Sequence, residues 1–413
     1  MYRRTMSEDW DFKNSNTKEY THCYHNYPAM MIPQVARKLI EEYFPEGELN
    51  LIFDPYVGSG TSLVEASIKG IDSIGTDINP LARFISKVKT TSFDLNLILK
   101  SKNLIISSLN RYNLEKHEIY NYDHITQAEY WYSKETLDKL MFISCAIKRY
   151  GNKQFDFFNL VLSESVRESS YTRNGEFKRY RMDMSKVIES NMDPIKLFIS
   201  KLDRNVIGLS EYMAFEKKGK ATIYNFNTIK CIPKRYIVPC MVDMVVTSPP
   251  YGDSKTTVAY GQFSRWANEW FRFDNAKSVD NMLMGGVKKT KISFSTVSIA
   301  KELEQIKDID KKRYIEVVSF LDDYYFSIKN VASVVRSGGR ICYVVGNRNV
   351  KGIQIPLDFF TAEMFEKFGC VHENTIVRSI GNKRMPSRTC PTNIKGANID
   401  TMSSEYIVIM TKK

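Results

Sequence analysis

The chain has 413 residues, more than one hydrophobic core usually organises, which predicts one large elaborated domain or two domains and excludes a small disulfide-stapled module. Hydrophobic residues make up 43% of the sequence and charged residues 26%, which excludes a disordered or fibrous chain. Lys and Arg number 59 against 47 Asp and Glu, and the formal net charge of +12 favours a polyanionic partner.

The sequence shows no signal peptide and no membrane-spanning segment. The stretch MYRRTMSEDWDFKNSN has no apolar segment of the signal-peptide kind, and no apolar run is long enough to cross a bilayer. The seven cysteines are odd in number and form no C-x-x-C pair, which argues against a disulfide framework and a thiolate zinc site. We therefore expect a cytoplasmic protein with no membrane contact.

The first clear elements form a βαβ unit. The segment LNLIFDPYVGSGTSLVEASIKG, from position 49, has the order strand, Gly-rich loop, helix. A second apolar run, IDSIGTD at 71–77, ends in an acid and is followed by Pro80 and a helical pattern. This order is typical of an α/β protein.

The strand and helix alternation stops after about Asp94 and resumes near position 218. The pattern predicts an inserted, mainly helical region at 95–217 between two parts of one domain, 1–94 and 218–413. Further elements are predicted at 221–227, 242–251, 314–336, 338–346, 356–368, 371–380 and 405–411. We expect an α/β fold with a doubly wound, mostly parallel sheet, in which the last two strands form an antiparallel hairpin at one edge.

Two segments at predicted strand ends indicate a ligand site. The loop at 54–61, DPYVGSGT, lets the backbone turn tightly, and Asp77 ends the next strand, where a carboxylate accepts hydrogen bonds from ribose hydroxyls. The phosphate-loop and full dinucleotide signatures are absent. The turn Ser248-Pro249-Pro250-Tyr251 follows a buried strand, and its two prolines make it stiff, whereas an ordinary turn more often contains Gly, Asn or Asp.

At these residues the sequence resembles the amino-directed DNA methyltransferases, which methylate cytosine N4 or adenine N6. The resemblance spans about 20–95 and 218–413 and is closest to the cytosine-N4 enzymes with a Ser-Pro-Pro-Tyr motif. The matching segments are YTHCYHNYPAMMIPQVARKLI (20–40), FDPYVGSGT (53–61), GTDINP (75–80), TSPPYG (247–252) and RSIGNKRMP (378–386).

The resemblance implies S-adenosyl-L-methionine as cofactor, held in a Rossmann-like sheet. Asp54, Gly58, Gly60 and Thr61 are then expected around its methionine portion, and Asp77 at its ribose. The segment 20–40 resembles the family's segment that closes over the methionine end of the cofactor, and it contributes Tyr27 and Pro28 to the predicted cofactor-binding residues. The others are Tyr56, Asn79, and Asn225 or Asn227 near the adenine.

The Ser-Pro-Pro-Tyr turn suits methylation of an exocyclic amine, whose lone pair is delocalised into the base. The Ser248 hydroxyl and the Pro249 carbonyl can each accept an amine hydrogen, and the rigid Pro249-Pro250 backbone holds both acceptors in place. Tyr251 can stack on a base that has been flipped out of the duplex. In the family this first serine is associated with cytosine N4, so N4 methylation is our prediction, with adenine N6 as the alternative.

Other chemistries are less well supported. A cytosine-C5 enzyme needs a cysteine nucleophile after this strand, but Cys240 precedes it and Cys390 precedes its proline. His22 and His25 have no carboxylate-rich helix beside them, so no metal is expected.

Basic residues interleaved with aromatic ones at 165–182 predict contact with double-stranded DNA, although a solvated surface is an equal alternative. A segment at 252–266 follows the catalytic turn, and VKKTK at 287–291 is a short basic run. The predicted DNA-contact residues are Arg167, Arg173, Lys178, Arg179, Arg181, Lys255, Lys288, Lys289, Lys383 and Arg384.

The leading hypothesis is a site-specific DNA methyltransferase of a prokaryotic restriction-modification system, acting as a monomer, with its endonuclease on a separate chain. A guanine-N2 RNA methyltransferase is one alternative, although such enzymes usually carry Asp before the prolines. A DNA-binding protein that has lost catalysis is another, but it has no need for both an intact glycine loop and an intact Ser248 turn.

Overall fold

The structure is a computed structural model that describes residues 2–45, 50–113, 120–173, 175–189, 192–254, 256–380, 388–389, 399–400 and 403–413. Its strands are β1 (Arg4–Met6), β2 (Leu51–Asp54), β3 (Asp72–Thr76), β4 (Ala221–Tyr224), β5 (Val242–Thr247), β6 (Val335–Val345), β7 (Asn349–Val350), β8 (Ile353–Gln354), β9 (Cys370–Ser379), β10 (Arg388–Thr389), β11 (Ile399–Asp400) and β12 (Ser404–Lys412).

Fourteen helices are described. They are α1 (Pro33–Tyr43), α2 (Thr61–Ile68), α3 (Pro80–Lys89), α4 (Leu95–Leu109), α5 (Ala128–Trp131), α6 (Lys134–Tyr150), α7 (Phe155–Glu168), α8 (Met184–Glu189), α9 (Pro194–Met213), α10 (Tyr260–Trp270), α11 (Val279–Met282), α12 (Ala300–Ile309), α13 (Lys311–Ala332) and α14 (Leu357–Lys367). No helix within the described ranges is both long and apolar enough to cross a membrane.

Eight strands form the central sheet in the order β1-β9-β12-β6-β5-β2-β3-β4. The five strands from β6 to β4 are parallel to one another, while β12 runs antiparallel to both β6 and β9. The predicted α/β fold, with a mostly parallel sheet and an antiparallel hairpin near one edge, is confirmed. Strand β2 lies between β3 and β5, so the strand order reverses there, which is where open α/β sheets bind ligands.

The central strands are buried on both faces because their side chains alternate between two helical layers. Ile52 and Met244 face the layer that contains α1, and their neighbours Phe53 and Val245 face the layer that contains α13 and α14. Parallel strands covered on both faces read as continuous apolar runs, as LIFD and VDMVVT do here.

The described part of 95–217 consists of helices α4 to α9 and one isolated bridge, Thr172 to Arg181. These helices do not enclose a core of their own. Their apolar faces join one buried cluster with residues of α3 and α10, including Leu81 and Trp266. The helical region therefore packs directly on the elements that follow β3 and β5.

Strand β1 was not expected from the sequence. It occupies the outer edge of the sheet and pairs in parallel with β9, with Thr5 opposite Ile376. Its three residues, RTM, have no apolar periodicity, and the pairing partner lies about 370 positions further along.

A buried cluster of charges joins the helical region to the N-terminal segment. Glu164 on α7 accepts hydrogen bonds from Lys201 (2.9 Å) and Arg204 (2.8 Å) on α9 and from the amide of Asn26 (3.0 Å). Burial alone would raise the pKa of Glu164, but His25, Lys201 and Arg204 together lower it to about 2. The ionised carboxylate therefore stabilises the fold at neutral pH.

We expect Glu164→Gln to lower the free energy of unfolding by about 3 kcal/mol at pH 7, because it removes the buried negative charge that Lys201 and Arg204 both contact. Since the folded-state pKa lies below its usual value, this stabilisation is present above about pH 4.5 and is lost as the pH falls towards 2. Urea unfolding at several pH values measures the difference, which should shrink in acid.

Glu168→Gln is the matched control. Glu168 also contacts Lys201 (3.0 Å) but is partly exposed, so its loss should cost less than about 1 kcal/mol. Equal stabilities of Glu164→Gln and the wild type at pH 7 would contradict this account.

Candidate active site

The loop after β2 is shaped by two glycines in the left-handed region. Gly58 has φ +48° and Gly60 has φ +81°, and the Gly60 amide donates to the Val57 carbonyl (2.7 Å). A Cβ on Gly60 would lie 2.9 Å from the Ser86 Cα, so the loop packs tightly on α3. A Cβ on Gly58 would point towards the ring of Tyr27, 3.7 Å away. Gly60 is thus a packing residue behind the loop, while Gly58 faces an open cleft.

Asp54, the last residue of β2, is buried beneath this loop. Its Oδ1 accepts hydrogen bonds from the Thr247 hydroxyl (2.5 Å) and the Tyr56 amide (3.0 Å), and its Oδ2 accepts one from the Ser62 hydroxyl. Burial raises the pKa of Asp54 to about 6, against the lowering effect of these donors. Asp54 therefore joins the carboxyl end of β2 to the carboxyl end of β5.

Asp77 follows β3 and holds the glycine loop from the other side. Its carboxylate accepts hydrogen bonds from the amides of Gly58 (3.1 Å) and Asn79 (2.8 Å). Burial raises the pKa of Asp77. The carboxylate lies at the wall of the cleft, where it can also accept hydrogen bonds from a ligand.

Asn79 has an internal role. It is fully buried, caps α3 by accepting from the Leu81 amide (3.2 Å), and donates to the Tyr27 hydroxyl (3.0 Å) and the Ser264 hydroxyl (2.6 Å). Its side chain is not among those that line the cleft, and a contact between Asn79 and the cofactor stays a prediction. Its hydrogen bonds instead fix Tyr27 and α10 beside the loop.

A single cleft collects most of the predicted catalytic and cofactor-binding residues. Those that line it are Tyr27, Pro28, Asp54, Tyr56, Gly58, Thr61, Asp77, Asn227, Ser248 and Pro250. Of the two candidate asparagines after β4, Asn227 lines the cleft, whereas Asn225 is exposed and does not. The cofactor loop and the catalytic turn therefore share one cavity.

The cleft also has walls that were not predicted individually. Phe226 lines it beside Asn227, Met282 and Met284 lie at its side, and Tyr260 stacks on Tyr27 with ring centroids 5.9 Å apart. Tyr260 belongs to the segment 252–266, which follows the catalytic turn. The local sequence did not indicate that this residue would face the cleft. The methionines follow a long loop whose path depends on tertiary packing.

The catalytic turn follows directly from β5, whose six residues are all buried. Ser248 and Pro250 face the cleft, and the Ser248 hydroxyl lies 3.1 Å from the Tyr251 hydroxyl. The ring of Tyr251 packs against the core of the α13 and α14 layer.

The residues fit a ligand with a sugar, a flat ring and a positive charge. Asp77 offers carboxylate oxygens, Phe226 and Asn227 offer a flat apolar wall and an amide, and the two carboxylates Asp54 and Asp77 favour a cation. S-adenosylmethionine has these three features.

Among the predicted DNA-contact residues, two have structural roles. Arg167 is buried and donates to the carbonyls of Phe263 (3.1 Å) and Glu176 (2.8 Å). Lys289 contacts the carboxylates of Asp322 (2.7 Å) and Asp323 on α13. Both charges already have partners within the fold, and contact of Arg167 and Lys289 with DNA stays a prediction.

The other basic residues lie nearer the surface. Arg173 pairs with Asp183 (3.3 Å), Lys288 pairs with Glu316 (3.2 Å), and Arg181 donates to the Tyr130 carbonyl (2.9 Å). The half-buried Arg179 stacks over Trp266 (4.7 Å), and Lys178 is also partly exposed. Lys255, Lys383 and Arg384 lie outside the described residues.

The described residues contain no cluster of three His, Cys, Asp or Glu side chains that could hold a metal ion. His22 is buried against Glu65 (2.8 Å), and burial lowers its pKa to about 4.

Comparison with known proteins places the chain in a family. Residues 2–88 match a family described as DNA methylase. The chain is 38% identical to the type II methyltransferase M.MvaI of Kocuria varians, over 97% of this chain and 92% of that protein. It is 22% identical to the type II methyltransferase M.BsoBI of Geobacillus stearothermophilus, over 86% of this chain and 79% of that protein.

Among solved structures, the rRNA methyltransferase AviRa of Streptomyces viridochromogenes aligns with 79% of this chain and 80% of its own, at 9% identity and a TM-score of 0.30. The chain belongs to the type II DNA methyltransferases of the N6/N4 family. The predicted class and its cofactor, S-adenosyl-L-methionine, are confirmed.

We expect Gly60→Ala to weaken S-adenosylmethionine binding by at least about tenfold, because a left-handed φ costs an L residue roughly 1–2 kcal/mol and the new methyl group meets the α3 backbone. Isothermal calorimetry measures the affinity. Gly70→Ala is the control, since Gly70 has φ +73° with open space around its Cβ position. Unchanged binding by Gly60→Ala would show that the loop tolerates the shift.

Proposed function

We propose that this DNA methyltransferase moves the methyl group of S-adenosylmethionine to the exocyclic N4 amine of a cytosine flipped out of double-stranded DNA. The observation that carries the proposal is the shared cleft: Ser248 and Pro250 line the same cavity as Asp77 and the glycine loop. The base specificity rests on the Ser-Pro-Pro-Tyr resemblance, and adenine N6 is the alternative. Family membership favours DNA over the RNA alternative.

The cofactor is assigned to the wall made by β2, β3 and β4. Asp77 accepts hydrogen bonds from the ribose hydroxyls, Phe226 and Asn227 contact the adenine, and Thr61 and Tyr27 lie at the methionine end. When bound there, S-adenosylmethionine supplies an electrophilic methyl group on a sulfonium cation. The carboxylates of Asp54 and Asp77 favour that positive charge.

The target base is assigned to the side of the cleft formed by Ser248 and Pro250. The Ser248 hydroxyl and the Pro249 carbonyl each accept one hydrogen of the amine, which draws the nitrogen lone pair out of the ring. The amine nitrogen gains the methyl group as the bond between that methyl and the sulfonium sulfur breaks, which leaves a neutral thioether, and the amine releases one hydrogen as a proton to water. The stiff Pro249-Pro250 backbone keeps both acceptors in place throughout, and the Tyr251 ring is assigned to stacking on the base.

The proposal is tested with purified protein, isotopically labelled S-adenosylmethionine and unmethylated genomic DNA. Digestion to nucleosides and mass spectrometry identify the product. Labelled N4-methylcytosine supports the proposal, N6-methyladenine keeps the class but replaces the base, and the absence of labelled nucleoside favours the non-catalytic alternative.

We expect Ser248→Ala to lower the rate of methyl transfer roughly 100-fold, because one preorganised hydrogen-bond partner of the amine is lost. S-adenosylmethionine affinity should stay within about twofold, since Ser248 lies on the base side of the cleft. Single-turnover kinetics and calorimetry measure the two quantities. An unchanged rate would remove Ser248 from the mechanism.

The helical region 95–217 is proposed to hold the DNA target-recognition surface, and 1–94 with 218–413 the catalytic domain. Lys178, Arg173 and Arg181 are then assigned to phosphate contacts. A cognate restriction endonuclease on a separate chain and a prokaryotic cytoplasmic location complete the proposal.

We expect Lys178→Ala to weaken DNA binding equally for all sequences and to reduce the slope of log affinity against log salt by about 1, as the loss of one phosphate contact requires. Lys69→Ala is the control, because Lys69 lies at the far end of α2 and pairs with Glu41. Fluorescence anisotropy at several salt concentrations measures both slopes. A change in sequence preference would argue against a phosphate contact.

A further inference from the structure

The Ser248 hydroxyl is the end of a hydrogen-bonded chain that reaches the antiparallel edge of the sheet. It lies 3.1 Å from the Tyr251 hydroxyl, which donates to Glu405 Oε1 on β12 (3.3 Å). Arg378 on β9, directly opposite Glu405 in the strand register, donates to Glu405 Oε2 (2.5 Å). None of these outer residues stands beside the catalytic turn in the sequence.

The chemistry of the outer groups sets the direction of every hydrogen bond in this chain. A guanidinium only donates and an ionised carboxylate only accepts. The single proton of the Tyr251 hydroxyl is therefore directed to Glu405, and the Tyr251 oxygen is left as an acceptor. Ser248 can then bond to Tyr251 only as the donor, and in that hydrogen bond the lone pairs of the Ser248 oxygen remain for a ligand in the cleft.

We propose that Glu405 is a positioning residue that acts through Tyr251 to keep the Ser248 hydroxyl a hydrogen-bond acceptor for the amine of the target base. This inference rests on the proposed function. A serine hydroxyl free to rotate can instead donate its proton to the amine nitrogen. That hydrogen bond would occupy the lone pair that must attack the methyl group.

The surroundings keep the chain in this arrangement. Arg378 is 4% exposed and also donates to the carbonyls of Trp10 (2.6 Å) and Asp11 (3.1 Å), so the partner of Glu405 is itself fixed. Burial, together with the charge of Glu405, raises the pKa of Tyr251, so its hydroxyl keeps its proton at neutral pH.

The test is Glu405→Gln, which keeps the shape of the side chain. When the new amide oxygen accepts from Arg378, the amide NH₂ group faces the Tyr251 hydroxyl and donates to it. The Tyr251 hydroxyl then donates to Ser248, and Ser248 donates to the target amine, so both hydrogen bonds are reversed. The single-turnover rate of methyl transfer should fall roughly 10- to 100-fold, as for the loss of one preorganised group. S-adenosylmethionine affinity should stay within about twofold.

Glu373→Gln is the matched control. Glu373 lies near the other end of β9 and pairs with Arg340, so this variant also removes one carboxylate from an ion pair of the same sheet edge. Its transfer rate should match the wild type. An equal loss in both variants would indicate a general effect on the sheet and would overturn the proposal.

A double-mutant cycle separates positioning from structural damage. Glu405→Gln should not slow the Ser248→Ala enzyme further, because the hydroxyl on which it acts is gone. Tyr251→Phe leaves the Arg378 to Glu405 pair intact, so it should lower the transfer rate less than Glu405→Gln does. In the Ser248→Ala background it should not lower the transfer rate further. This second cycle decides the question if Glu405→Gln does not fold.

The outcomes separate a failure of the proposed function from a failure of the role assigned to Glu405. A wild-type protein that forms no methylated base overturns the proposed function and this inference with it. A wild type that forms the product, with losses from Glu405→Gln and Ser248→Ala that add in full, overturns the role of Glu405 alone.

Discussion

The Asp54 carboxylate is the contact on which the rest of the site depends. Its three hydrogen bonds reach the amide of the cofactor loop, the first turn of α2 and the Thr247 hydroxyl at the end of β5. The residue after Thr247 is Ser248, so one buried anion sets the spacing between the cofactor side and the base side of the cleft. Methyl transfer needs this spacing, because the two reacting atoms must be held about 3–3.5 Å apart and in line before the bond forms. Burying the charge is costly, and the three donors offset that cost.

Much of the fold could be read from the sequence because the parallel strands carry a strong local signal. The runs LIFD and VDMVVT are buried on both faces, and each is followed at its carboxyl end by polar or turn-forming residues. Parallel topology then places these ends on one edge of the sheet. This is why Asp54, Gly58, Asp77 and Ser248 could be assigned to one cleft before any distances were known.

The sequence could not show the contacts of side chains whose partners lie far away along the chain. Asn79 follows the second strand as a cofactor contact would, yet its donors are used by Tyr27 and Ser264. Arg167 lies in a basic and aromatic stretch, but its position on α7 turns the guanidinium towards the backbone of α10. Composition gives the charge of a segment, and only packing decides whether that charge faces solvent. Glu405 lies near the start of β12, before its apolar centre, and no pattern in the sequence connects it to a turn more than 150 positions earlier.

The position of β12 has a consequence for how the protein is made. This strand, at 404–412, lies between β6 and β9, so one edge of each of these two strands stays unpaired until these residues have been synthesised. A chain released early exposes the full edge of β6, an eleven-residue strand able to pair with other chains. It also lacks the carboxylate of Glu405. A chain without β12 therefore exposes strand edges that favour aggregation, and the site is assembled only after β12 has taken its place in the sheet.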